Sequence, residues 1–99
     1  MNTVIVPVDF SETSVNAARY AVKLLTGQPG TEIILYHAYD KVNEETESIE
    51  NLEKLKEELM LNRSGNITIL TERGDFLTEL EKLIRHRQAD LVVMGITGR

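Results

Sequence analysis

The residues of this 99-residue chain whose types and spacing could do chemistry lie in two short stretches. The last ten residues, DLVVMGITGR from Asp90 to Arg99, run an apolar, strand-like segment into Gly95-Ile96-Thr97-Gly98. Glycines at that spacing let the backbone turn sharply and bring amide N–H groups to an anion without interference from Cβ. Thr97 and Arg99 would add a hydroxyl and a cation. The same four residues also suit an ordinary turn, and their spacing alone does not separate the two readings. Near the start, VPVDFSETS sets Pro7 and Asp9 ahead of Ser11, which reads as a helix N-cap. Asp9 could face a ligand's polar edge or hydrogen-bond its own turn, and both readings stand.

The other candidates are weaker. His37 lies within an apolar strand and reads as a satisfied core histidine. His86, in IRHRQ, reads as a surface residue favoured by a helix C-terminus. The chain has no Gly-x-Ser-x-Gly elbow, cysteine nucleophile, histidine pair at metal spacing or Walker motif, and VDFSETS lacks the glycine-rich first turn of a dinucleotide site. No catalytic or metal-ligating residue is assigned.

Those residues need elements to position them, and the apolar pattern supplies a regular series. Thr3–Val8 reads as a strand, and Val15, Ala18, Val22 and Leu25 as one face of a helix from about Ser11 to Thr26. A second strand centres on Ile33–Ala38. A helix with Ile49, Leu52, Leu55 and Leu59 on its apolar face follows. Ile67–Glu72 reads as a third strand, and Gly74-Asp75 opens a helix whose face is Phe76 or Leu77, Leu80, Leu83 and Ile84. Asp90–Gly95 completes the series as a fourth strand. The order is βαβαβαβ, with near-continuous apolar strands, which predicts an open parallel sheet with helices on both faces. In such sheets ligands bind beyond the carboxyl ends of the strands, where strand order reverses. Both chemistry-bearing stretches sit at such ends.

Composition bounds the function classes. Hydrophobic residues make up 41% and charged residues 27%, so one packed domain over residues 1–99 is expected. A chain of this size buries roughly 60–65% of the surface of its unfolded form. There is no cysteine, so cohesion rests on apolar packing. The formal charge of −5, without a Lys/Arg stripe, argues against nucleic acid as a partner. No window reaches the run of about eighteen apolar residues of a membrane span, and MNTVIVPVDF does not read as a secretory leader, so no membrane association and a cytoplasmic location are expected.

Taken together, P-x-D-x-S at Pro7–Ser11, EIILYHAYD in the second strand, the single Gly74 after the third, and DLVVMGITG near the end resemble the universal stress proteins along the whole chain. The resemblance implies a Rossmann-like, adenine-nucleotide α-hydrolase-like sheet of five strands in order 3-2-1-4-5, of which four are visible here. It also implies frequent dimerisation and, in one branch, ATP at the strand ends, with Mg2+. Carried over, Pro7, Val8 and Asp9 match the segment that meets adenine and ribose. Ala38 matches the backbone beside the adenine, and Met94, Gly95 and Gly98 begin the phosphate loop, with Arg99 beside it. The ATP-binding branch continues G-x2-G-x9-G-(S/T), and the sequence stops one residue after the second glycine.

The resemblance leaves two main functions: an adenine-nucleotide-binding module of the stress response, with at most slow ATP hydrolysis, or a dimerisation scaffold that binds no nucleotide. An α-hydrolase-class enzyme is disfavoured by the glycine-free DFSETS turn. A receiver domain is disfavoured because Glu72, Arg73 and Gly74 stand where its phosphoacceptor Asp would be. The fourth strand would be a sheet edge, so the chain is expected to be a fragment of a longer one, or to have that edge covered by a homodimer partner or another segment.

Overall fold

The computed structural model describes residues 2–25, 28, 30–61 and 66–95. Along them run β1 (Asn2–Pro7), α1 (Glu12–Leu24), β2 (Thr31–Tyr39), α2 (Glu45–Met60, entered through a 3-10 turn at Val42–Glu44), β3 (Asn66–Arg73), α3 (Phe76–Arg87) and β4 (Leu91–Val92). The strands form one parallel sheet in the order β3-β2-β1-β4. Val4 is paired with Ile33 on one side and with Leu91 on the other. The sheet is the expected α/β architecture, in the expected 3-2-1-4 order.

That order decides which face each helix covers. Parallel crossovers are right-handed, so two steps in one direction put α1 and α2 on the same face, and the return step from β3 to β4 puts α3 on the other. Alternation along β1 matches this. Val4, Val6 and Val8 pack with Ala18, Ala21 and Val22 of α1 and Leu52, Leu55 and Leu59 of α2, whereas Ile5 packs with Leu80 and Leu83 of α3. Ile5, Ile34, Leu35, Tyr36 and Leu52 are all fully buried. Burial on both faces explains why the strand sequences are nearly all apolar. No helix among the described residues is long and apolar enough to cross a membrane.

The helix starts follow local chemistry. Ser11 is the N-cap of α1, its side chain accepting from Ser14 N–H, and Asp75 caps α3 by accepting from Thr78 N–H. The helix expected from Ser11 thus begins at Glu12, and Thr26 lies outside the described residues. β4 is shorter than the Asp90–Gly95 run. Past Val93, whose N–H donates to Ile5 O at 2.9 Å, the chain leaves the sheet toward α1.

Asp90 anchors the start of β4 to β1 with two bonds. Thr3 N–H donates to its Oδ2 at 2.8 Å, and its own N–H donates to Thr3 O at 2.8 Å. Asp90→Ala keeps the second and orphans the part-buried Thr3 N–H, at an expected cost of about 1–2 kcal/mol. Urea unfolding of the two proteins measures it. An unchanged midpoint would mean that water replaces the carboxylate without loss.

Candidate functional site

The carboxyl ends of β1 and β2, the segment after β4 and the first turns of α1 and α3 enclose an open cleft of about 280 Å³. Pro7, Val8, Asp9 and Ser14 line it from the β1–α1 connection, His37 and Ala38 from β2, Phe76 from α3, and Met94 and Gly95 from the end of β4. The fold therefore gathers Pro7, Val8, Asp9, Ala38, Met94 and Gly95, six of the residues singled out from sequence, around one cavity. Gly98 and Arg99 lie outside the described residues.

The β1–α1 turn is a closed hydrogen-bonded unit. Ser11 N–H donates to Asp9 Oδ1 at 2.9 Å, and Asp9 N–H donates to Ser14 Oγ at 3.2 Å. The Ser14 hydroxyl, itself buried, donates to Ser11 O at 3.1 Å. The Ser11 hydroxyl, then its backbone N–H and the Ser14 hydroxyl, hold the Asp9 carboxyl below the usual carboxylate range. Asp9 is therefore an anion at neutral pH, exposed at the rim of the cleft, with one oxygen already committed to its own turn. Asp9 closes its own turn and also lines the cleft.

Phe10 adopts a left-handed backbone (φ 65°), unusual for a bulky side chain, with its ring centroid 4.7 Å from that of His37. His37 Nδ1–H donates to Val8 O at 2.7 Å, and because a carbonyl oxygen only accepts, Nδ1 carries the proton. Val8 N–H donates to Tyr36 O at 2.7 Å, so both backbone groups of Val8 are engaged and its side chain is buried in the floor. His37 is satisfied, as expected, but it is half-buried and lines the cleft rather than sitting in the core.

Phe76, which periodicity named with Leu77 as alternatives for the apolar face of α3, is a cleft residue. As part of an apolar helix face it would be core, yet Leu80 and Leu83 form the buried face of α3, and Phe76 stays 37% exposed. Its position is fixed from below. The Tyr36 hydroxyl donates to Phe76 O at 3.1 Å, and the two rings stack at 5.9 Å with 27° between their planes. Gly74 (φ 143°) turns the chain ahead of α3, and its N–H donates to Tyr39 O at 3.0 Å.

Gly95 is held by proximity. A Cβ there would lie 2.6 Å from Thr13 O and 2.9 Å from Thr13 C, so the backbone of β4's end presses directly on the first turn of α1. Beside this cleft, sharing His37 and Ala38, lies a second one of about 360 Å³ bordered by Asp40, Glu44 and Glu47. Glu44 Oε1 accepts from the N–H groups of Asp40 (3.2 Å) and Lys41 (2.8 Å). Phosphate is disfavoured on that acidic side. Among the described residues no group of three or more His, Asp or Glu side chains is arranged to hold a metal ion.

Comparison with known proteins places this architecture. The model of the universal stress protein family matches residues 1–99. Protein Rv1636 from Mycobacterium tuberculosis H37Rv is 26% identical with a TM-score of 0.82, over 99% of this chain and 73% of that one. Hypothetical protein MJ0577, whose structure served to assign its biochemical function, is also 26% identical at 0.82, over 99% and 76%. A universal stress protein in complex with cAMP shares the fold at 23% identity and a TM-score of 0.76, over 92% and 69%. Comparison with curated proteins gives no match. The first-turn motif, the 3-2-1-4 sheet and the family match over every residue lead to one conclusion: the chain belongs to the universal stress protein family.

Proposed function

We propose that this universal stress protein chain is a cytoplasmic stress-response module that binds an adenine nucleotide, ATP or a relative of it, in the cleft at the strand ends. The observation that carries the reading is the convergence of Pro7, Val8 and Asp9, Ala38, and Met94 and Gly95 on one cavity. Adenine lies against Pro7 and the Ala38 backbone, and the anionic Asp9 accepts from ribose hydroxyls. The phosphates extend past Gly95, away from Asp40, Glu44 and Glu47. The complex of another universal stress protein with cAMP supports an adenine ligand. Asp9 and His37 are the titratable groups lining the cleft among the described residues, one bound into its turn and the other tied to Val8 O. On this reading ATP hydrolysis is at most slow.

A scaffold that binds no nucleotide is the second reading. The contact of Gly95 with Thr13 favours it, because that packing accounts for the glycine without a ligand. In either case the outer edge of β4, where Leu91 is exposed, takes a partner strand from a second copy of the chain or from another segment.

Calorimetric titration of the full-length protein with ATP and Mg2+ decides between them. Binding is expected, and Asp9→Ala is expected to weaken it about tenfold or more through loss of a charged acceptor. No heat at high micromolar ATP would remove the nucleotide reading and leave the scaffold.

A further inference from the structure

We propose that Phe76 is the aromatic platform on which the cleft seats its ligand's base, making the site selective for a flat purine over other groups carried on the same sugar and phosphates. The inference rests on the nucleotide reading above and goes beyond it, because it assigns base selectivity to a residue outside both sequence motifs. Phe76 carries the one benzene ring among the residues lining the cleft; Pro7, Ala38 and Met94 offer only aliphatic surface.

Its exposure and its support point the same way. At 37% exposure Phe76 is too open to be a core residue, and α3 already buries Leu80 and Leu83 against the sheet. Yet the ring is not loose. Asp75 begins the helix at this residue, the hydroxyl of the fully buried Tyr36 grips the Phe76 carbonyl, and the Tyr36 ring stacks beneath. A preordered aromatic surface loses little side-chain freedom when a base stacks on it, and it gains most from the larger ring system of a purine.

The chain contains no tryptophan, so Phe76→Trp would place a single indole in the cleft. The wild-type protein, Phe76→Leu and Phe76→Trp are titrated with ATP and with CTP in Mg2+, by calorimetry for all three and by emission for the tryptophan variant. The wild type is expected to prefer ATP. Phe76→Leu, which keeps the apolar volume but lacks the π-face, is expected to bind ATP about tenfold more weakly and to lose most of the preference over CTP. Phe76→Trp is expected to retain ATP binding with quenched emission. Undiminished ATP affinity in Phe76→Leu, or ATP binding to Phe76→Trp without a change in emission, would overturn the platform while leaving the nucleotide reading intact. Failure of the wild type to bind ATP would remove both. Retained thermal unfolding in Phe76→Leu separates a lost platform from a lost fold.

Discussion

Gly95→Ala is expected to destabilise the protein by about 1–3 kcal/mol, the range for forcing a methyl group into filled space. The atoms it would meet are the backbone of Thr13 at 2.6 and 2.9 Å and Ser14 Cα at 3.1 Å, which cannot rotate aside as a flexible side-chain end would. Relief requires the end of β4 to move away from α1. That displaces Met94, which lines the cleft, and strains a strand whose ladder pairs only Leu91 and Val92 with β1. For a domain of this size each kcal/mol corresponds to roughly 4–8 °C in Tm. Thermal and urea unfolding measure the effect, and ATP titration of the same variant separates the two roles of the glycine. A variant as stable as the wild type that no longer binds ATP would assign Gly95 to the ligand alone and refute the packing argument.

Raising the pH is expected to remove about 2–3 kcal/mol of stability between pH 10 and 12 through Tyr36. Burial, followed by the carboxylates of Glu79, Glu72 and Asp75, pushes its hydroxyl from the ordinary 10.0 up to about 12. A group whose pKa is raised on folding contributes stability that is complete below its unfolded value and lost as pH rises through its folded value. Here the unfolded chain sheds the proton near pH 10 while the folded one holds it, giving a slope of about 1.4 kcal/mol per pH unit. Tyr36→Phe should flatten that arm of the profile and, at neutral pH, cost about 1 kcal/mol for the bond to Phe76 O. Tyr39, raised chiefly by its bond to Glu45, adds to the same arm, and Tyr39→Phe measures its share separately from that of Tyr36. Urea midpoints at pH 8, 10 and 11.5 report the slope. An alkaline arm of equal steepness in Tyr36→Phe would show that other groups cause it.

The legible parts of the fold and site were those governed by near neighbours. Ser11 as N-cap and Asp75 at the start of α3 involve partners three positions away, so residue type and spacing were enough to find them, and the Asp9 turn, spanning two, was one of the two readings its position allowed. The strands were legible because both faces are buried, which leaves an apolar run in the chain itself. Ser14, His37 and Phe76 were not recognised as cleft residues. Ser14 lies three residues after the Ser11 cap, and its bond to Asp9 N–H is hidden behind the capping pattern. Phe76, or else Leu77, looked like the start of an apolar helix face. Its exposure arises because α3 docks through Leu80 and Leu83, a choice of rotation that periodicity leaves open by one position.

By itself, then, the sequence determined the parallel α/β class and the family, since those follow from alternation, turn chemistry and motif order along the chain. Only the tertiary structure decided that Pro7, Asp9, Ala38, Phe76 and Gly95 share one cleft, that His37 is tied to Val8 O, and that Gly95 is a contact point for α1. Each of these depends on the strand order β3-β2-β1-β4, which sets β2 and β4 on either side of β1. The physical reason is distance along the chain. Such contacts form only once the sheet has been assembled, and local propensity carries no record of which strand ends will meet.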